Sequence, residues 1–209
     1  SDIGISFVGS GDATPNPFLK EIFGMVAAEF PSVSRIRFST VAGKVQGSYS
    51  TPMQVVAKII SADEYKGKPK LSMQVSLHSS DEEKRARHVF EQRLNTPEVI
   101  SGKKQFTNLD AQNMLLPGRE VAKQFEQIVQ AQIRKGVPSI RKPALSFVCS
   151  KDTRIDINEL ENYGFNPENT VIQLRPLLSE NPADSMSEKD FLQLYSSLRE
   201  SGYDVVLMP

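Results

Sequence analysis

Short apolar runs alternate along the chain with longer stretches in which apolar residues recur every three or four positions. The short runs are rich in Ile, Val, Leu and Phe, which is typical of strands, whereas the longer stretches predict amphipathic helices. Strands are predicted at 3–8, 35–40, 70–78, 144–149, 170–174 and 203–208. This alternation predicts an α/β fold with a parallel sheet of about six strands, either an open doubly wound sheet or a barrel or part-barrel.

The helical stretches are bounded by recognisable start and stop residues. Helices are predicted at 18–30, 52–62, 79–95, 121–135, 157–163 and 188–201. Ser80 and Ser187 are suitable N-caps, and Gly202 stands where a glycine commonly ends a helix. Residues 96–117 predict a long loop with helical fragments, and the first apolar run predicts a buried strand.

Length and composition describe an ordinary globular domain. The chain has 209 residues with 25 basic and 25 acidic side chains, so its overall charge favours neither nucleic acid nor membrane. No run approaches the roughly 18 apolar residues of a membrane span. Cys149 is the only cysteine, which excludes an internal disulfide and a multi-cysteine metal site and predicts a reducing, cytoplasmic setting. We predict Cys149 to be a buried, inert strand residue.

Polar residues and glycines stand where predicted strands end, and this is the edge at which parallel sheets bind ligands. They are Gly9-Ser10-Gly11-Asp12, Ser39-Thr40, Ser76-Leu77-His78, Cys149 to Asp152 and Gln173-Leu174-Arg175-Pro176. Hydroxyl, imidazole and guanidinium groups contact carboxylate, ribose or phosphate. The same residues also suit tight turns, helix caps and salt bridges, so both interpretations stand.

Three basic segments are candidates for contact with RNA phosphates. They are Lys84 to His88, the pair Lys103-Lys104, and Arg134 to Lys142. Cations in such runs line nucleic-acid paths, but they are equally typical of a solvated helix face. RNA is therefore a possible partner and not a required one.

In their order and spacing, the strand ends resemble those of radical S-adenosylmethionine enzymes, closest to the adenine-C2 methyltransferases of 23S ribosomal RNA and transfer RNA. Gly9 to Ala13 loosely matches that family's Gly-x-Gly-Glu-Pro-like motif, which contacts the methionine amine. Ser39-Thr40 matches a strand end that contacts ribose or carboxylate, and Ser76-Leu77-His78 matches the family's Ser-Leu-His. Gln173-Leu174-Arg175-Pro176 matches Asn-Leu-Ile-Pro, whose Asn binds the cofactor.

Substitutions and missing motifs separate the chain from this family. Asp12 replaces Glu, Ala13 replaces Pro and Gln173 replaces Asn. The family's Cys-x3-Cys-x2-Cys cluster loop and its methylatable cysteine have no counterpart within these 209 residues. We therefore expect residues 1–209 to be a single α/β domain, a TIM-like part-barrel that lacks the N-terminal cluster-binding unit of a larger protein.

The resemblance implies a function for that larger protein. It would use a [4Fe–4S] cluster to cleave S-adenosylmethionine, generate a 5′-deoxyadenosyl radical and modify an RNA adenine, and this chain alone would be inactive. The implied cofactor contacts are Gly11 and Asp12 to the methionine amine, Ser39 and Ser76 near ribose or carboxylate, and His78 and Gln173 beside ribose or adenine. No catalytic residue and no metal ligand is assigned to this chain.

Two alternatives to the enzyme remain open at this point. One is a degenerate, cluster-free barrel that serves as a binding or interaction module, with RNA as a candidate partner. The other is an unrelated α/β enzyme that acts on a phosphorylated small molecule. For a part-barrel that lacks its first unit, the first strand is expected to leave an unpaired parallel edge, which predicts pairing with a missing N-terminal segment or with a second chain.

Overall fold

A six-stranded parallel sheet is the centre of the fold in the computed structural model, which describes residues 3–7, 18–45, 50–67, 69–136, 142–177 and 184–208. The strands are β1 (Ile3–Phe7), β2 (Val33–Thr40), β3 (Lys70–Ser76), β4 (Ala144–Cys149), β5 (Val171–Pro176) and β6 (Asp204–Leu207). The helices are α1 (Leu19–Glu29), α2 (Pro52–Ser61), α3 (Glu82–Val89), α4 (Glu91–Leu94), α5 (Pro97–Ile100), α6 (Asn108–Asn113), α7 (Gly118–Lys135), α8 (Ile157–Tyr163) and α9 (Glu188–Glu200). Over these ranges, no helix combines the length and apolar character needed to cross a membrane.

The strands follow one another across the sheet in chain order, from β1 to β6, and every neighbouring pair is parallel. A doubly wound sheet reverses its strand order at a switch point, whereas a barrel adds each new strand to the same side. The sequential order therefore confirms the predicted α/β part-barrel and excludes the doubly wound alternative. Over the described ranges, β1 and β6 each have one neighbour and form the two edges of the sheet.

The hydrophobic core lies between one face of the sheet and the helices. Along β3 it takes Leu71, Met73 and Val75, which alternate with polar residues as a strand with one buried face requires. The helices contribute apolar stripes from α1, α2, α7, α8 and α9. These helices pack on one face of the sheet only. The opposite, inner face is not covered by them, and it carries the candidate site.

Three predictions about local structure were wrong. The predicted helix 79–95 is interrupted, because α3 starts after Asp81 and ends at Val89, and α4 follows as a separate short turn. Asp81 caps α3 in place of Ser80, whose hydroxyl accepts a hydrogen bond from the Asp156 amide at 3.0 Å. The first strand is not buried, since Ile3 is 47% exposed at the sheet edge.

Candidate functional site

The inner face of the sheet is polar along most of its strands. In closed barrels of this architecture, bulky branched side chains fill the interior. Here the inward-facing residues are instead mainly basic, hydroxyl and amide side chains, with small or medium apolar residues on β4 to β6. A surface of this kind does not make a packed core, and it suits a lumen that receives a ligand.

A polar strip crosses the inner face near the C-terminal ends of the strands. Ser76 is in register with Ser146, and Ser146 is in register with Gln173, so these three side chains are neighbours across β3, β4 and β5. Ser39 pairs with Gln74, which places it on β2 one pleat below Ser76. We call Ser39, Ser76, Ser146 and Gln173 the polar strip.

Three of the sequence-predicted cofactor contacts thus lie together in the strip, and one of its members was missed. Ser146 is only 7% exposed, yet it is a hydroxyl within an otherwise apolar strand. Ser146 lies between Leu145 and Phe147, which both face the core. Because successive side chains of a strand point to opposite faces, the sequence itself indicates that Ser146 lies on the inner face.

Gln173 carries a buried acceptor that nothing in the described chain satisfies. Its Oε1 atom is buried and has no hydrogen-bond partner. An unsatisfied buried polar atom costs about 1–3 kcal/mol. A ligand N–H or O–H at this position would remove that cost, so the strip is suited to a ligand that carries such a donor.

His78 lies two residues beyond the end of β3 in an unusual backbone conformation. Its φ is 64°, in the left-handed region that few residues other than glycine adopt, although Asn, Asp and His do so more often than the rest. The His78 ring lies 4.4 Å from that of His88, and its Nδ1 atom is buried without a hydrogen-bond partner. Burial, followed by the nearby His88 and Arg85 charges, lowers the pKa of His78 from 6.5 to about 4. The imidazole is therefore neutral at pH 7.

We expect His78 to make the protein less stable as the pH falls from about 6.5 to about 4. In this window the unfolded chain binds a proton at His78 and the native chain does not, so the free energy of unfolding rises with pH. His78→Asn tolerates the left-handed backbone and should flatten this slope in urea titrations across the window. His88→Asn, at an exposed ring, should retain most of the slope. An unchanged slope in His78→Asn would contradict the assignment.

A helical segment, residues 82–116, packs against the loop that follows β2. Its small apolar cluster contains Ala86, Ala111 and Leu115. Backbone hydrogen bonds join it to the loop after β2, with Leu116 N–H donating to Ala42 O at 2.8 Å and Lys44 N–H to Met114 O at 2.8 Å. The segment thereby holds the loop that follows Ser39 and Thr40 at the end of β2.

Arg85 anchors this segment and is not available to RNA. It is 2% exposed and donates from Nη1 to Leu116 O and from Nη2 to Val41 O, both at 2.8 Å. Arg85 and Ala86, at the centre of the basic run Lys84 to His88, are both buried, so this run does not present a continuous cationic surface. Arg87 remains on the surface and pairs with Glu83 at 3.6 Å.

Cys149 occupies the core side of β4, as predicted. It is fully buried, and burial raises the pKa of its thiol to about 11, which keeps it protonated and unreactive at pH 7. Within the described ranges, no group of three or more His, Cys, Asp or Glu side chains is placed to hold a metal ion. The residues present do not fit an iron–sulfur cluster, which needs several thiolates.

Other predicted contacts fall outside the strip. Gly11 and Asp12 lie outside the described residues, as does the rest of the loop after β1. Arg175 is exposed near the end of β5. The hydroxyl of Thr40 accepts a hydrogen bond from the Ala42 amide at 2.9 Å, so it stabilises the turn after β2.

Comparison with solved structures agrees with this class of fold. The chain is similar to the crystal structure of a radical SAM methyltransferase from Sphaerobacter thermophilus, with a TM-score of 0.51 and 15% sequence identity. The match covers 98% of this chain and 50% of that protein, so the chain spans half the length of its structural neighbour. At this identity the likeness shows the fold alone, a parallel α/β part-barrel similar to that of the enzyme. No protein-family model and no curated protein matches the sequence.

Proposed function

We propose that this chain is the S-adenosylmethionine-binding part-barrel of a radical SAM methyltransferase-like protein. The observation that carries the proposal is the polar strip at the C-terminal ends of a sequentially ordered parallel sheet. Ligands of parallel α/β folds bind at this edge. The likeness in fold to a radical SAM methyltransferase supports the same choice of ligand.

The residues of the strip have distinct binding roles in this proposal. The hydroxyls of Ser39 and Ser76 contact the ribose or the carboxylate, and the unsatisfied Oε1 of Gln173 accepts a hydrogen bond from the ribose or from the adenine amine. Gly11 and Asp12 are assigned to the methionine amine on the sequence resemblance alone. When bound with a reduced cluster, S-adenosylmethionine supplies radical chemistry, whereas the side chains named here bind and orient it.

The enzyme hypothesis requires cluster ligands from outside these 209 residues, because the sequence contains one cysteine. We propose that they belong to a further segment of a longer protein or to a second chain, which would pair with an open edge of the sheet. If a longer protein carries Cys-x3-Cys-x2-Cys before the first strand, anaerobic reconstitution should load a cluster. Failure of that longer protein to bind iron would contradict the enzyme hypothesis.

Calorimetric titration of this chain with S-adenosylmethionine tests the site itself. We expect saturable binding that weakens by about tenfold or more in Gln173→Ala, because an acceptor that binds the ligand is lost. Gln127→Ala, on the outer surface of α7, is the matched control and should bind as the parent does. Absence of binding by the parent, or equal binding by Gln173→Ala, would overturn the assignment.

The substrate proposed from the resemblance is an RNA adenine, methylated at C2. With Arg85 buried, an RNA path would depend on exposed cations such as Lys84, Arg87, Lys103 and Lys104. Binding of a short RNA through these groups should weaken steeply as salt rises, since each phosphate contact releases counterions. Affinity that is independent of salt would contradict this path.

A second candidate function is a cluster-free binding module. It is favoured by the single cysteine and by the replacement of Glu, Pro and Asn of the family motifs by Asp12, Ala13 and Gln173. Such a module would bind RNA or a protein partner without binding S-adenosylmethionine. The calorimetric experiment therefore separates the two candidates.

A further inference from the structure

A groove of about 580 Å³ lies on the inner face of the sheet, towards the N-terminal ends of the strands. This volume is within the usual range of small-molecule sites, about 300–1,000 Å³. The groove is distinct from the centre of the polar strip, which it meets at Gln173. Its lining residues of interest are Arg35, Arg37, Lys70, Ser72, Gln74 and Gln173.

Three cations stand side by side at one end of this groove. Arg35 on β2 is in direct register with Lys70 on β3, and Arg37 lies one pleat further along the same face of β2. Neighbouring strands are about 4.8 Å apart, so these like charges repel one another. Within the described ranges, no ion pair or side-chain hydrogen bond involves any of the three.

The carboxylate on the far side of the groove does not neutralise them. Asp204 on β6 forms ion pairs with Lys142 at 3.4 Å and with Arg199 at 3.8 Å. It is the only acidic side chain in the described lining of the groove. The net charge of the groove is therefore positive, and the excess is concentrated on β2 and β3.

The composition of the groove indicates the chemistry of its occupant. Guanidinium groups bind oxyanions through two parallel hydrogen bonds, and Arg35 and Arg37 provide two such groups on adjacent pleats. Ser72 and Gln74 continue the polar surface along β3. At its other end the groove reaches Gln173, whose Oε1 is assigned above to S-adenosylmethionine, so the cations alone define this site. The complementary molecule carries an anionic group.

We propose that this groove binds a small molecule through a phosphate or carboxylate group held by Arg35, Arg37 and Lys70. Arg37 and Arg35 stand two and four positions before Ser39 on β2, so the anion site begins roughly 7 Å along the strand from Ser39 and extends to roughly 13 Å. The site does not depend on radical chemistry or on S-adenosylmethionine. The bound anion offsets the electrostatic repulsion among the three cations and so stabilises their placement on one face of the sheet.

Isothermal titration at low salt with inorganic phosphate, citrate, 5′-AMP and adenosine tests this site on the 209-residue chain. We expect 5′-AMP and either phosphate or citrate to bind saturably, and adenosine to bind much more weakly. Preference for phosphate over citrate identifies a phosphate site, and the reverse identifies a carboxylate site. Absence of saturable binding by phosphate, citrate and 5′-AMP at millimolar concentration overturns the proposal.

The double variant Arg35→Gln, Arg37→Gln should weaken this binding by about tenfold or more. Its matched control, Lys58→Gln with Arg134→Gln, removes the same charge from an outer groove between α2 and α7 and should bind as the parent does. Without ligand, the first variant should melt at the same temperature as the parent or higher, because like-charge repulsion is relieved. Equal loss of binding in both double variants would show an unspecific charge effect and overturn the site.

Two further measurements distinguish this proposal from S-adenosylmethionine binding and from RNA binding. The Arg35, Arg37 variant should retain S-adenosylmethionine binding, so failure of one site is distinguishable from failure of the other. A short single-stranded RNA that binds through Arg35 and Arg37, while phosphate, citrate and 5′-AMP do not, would identify a polynucleotide surface and overturn the small-molecule proposal.

Discussion

Replacing Arg85 with alanine is expected to lower the free energy of unfolding by about 3–5 kcal/mol. The guanidinium is 2% exposed, and its two hydrogen bonds to the carbonyls of Val41 and Leu116 join the loop after β2 to the end of the 82–116 segment. Hydrogen bonds from a charged donor contribute about 1.5–3 kcal/mol each, and the lost side-chain volume leaves a cavity. The two effects act at the same place and should not cancel.

Urea denaturation of Arg85→Ala measures this loss, and the same helix supplies a control. Arg87 is exposed and its contact with Glu83 at 3.6 Å is a surface i,i+4 pair, so Arg87→Ala should change stability by no more than about 0.5 kcal/mol. Arg85→Met, which keeps much of the volume but none of the hydrogen bonds, should fall between the two. Equal stability of Arg85→Ala and Arg87→Ala would show that Arg85 does not anchor the segment.

The contrast between Arg85 and Arg87 illustrates what the sequence could not supply. Both lie in a run of basic residues that is typical of a solvated helix face or a phosphate path. Which side of α3 is buried depends on its packing against α6 and against residues near Val41, more than 40 positions earlier in the chain. Local charge patterning carries no information about such a partner.

Elements whose signals are local were predicted closely. β4 over residues 144–149 and α8 over 157–163 have the predicted bounds, because an apolar run and a helical stripe are each defined within one segment. Ser187 caps α9 through the Asp190 amide, and Gly202 follows that helix with a φ of 88°, as expected. The residues that determine these strand and helix boundaries lie within the element itself or directly beside it in the sequence.

The candidate site was predicted only in part, because it depends on register between strands. Ser39, Ser76 and Gln173 were expected to lie near one another as strand ends, and parallel pairing places them in one strip. Ser146 completes that strip only once its alignment with Ser76 is known. The cations Arg35 and Lys70 likewise become neighbours through register alone. Alternation along each strand showed which residues share a face, but not which of them meet.

Replacing Gly118 with alanine should destabilise the protein by about 1–3 kcal/mol, although alanine is usually the better helix residue. Gly118 begins α7, and a Cβ there would lie 2.7 Å from Cδ2 of the Tyr163 ring. That ring is fixed, since its hydroxyl hydrogen-bonds Ser80 O at 3.1 Å and Glu159 Oε1 at 3.0 Å. The backbone is also held, because the Gly118 amide donates to Glu82 Oε1 at 2.7 Å. Neither partner can move away without losing a hydrogen bond.

A double-mutant cycle with Tyr163→Ala separates this clash from other effects of the substitution. Without the ring, Gly118→Ala should become neutral or stabilising, because only the entropic benefit of replacing glycine in a helix remains. At Gly24 in α1, an added methyl group would have nothing within 4 Å, so Gly24→Ala should stabilise the parent by about 0.5–1 kcal/mol. If Gly118→Ala were as stabilising as Gly24→Ala, the Tyr163 ring would have to be free to move, and its two hydrogen bonds would contribute little to the packing of α8 against α7.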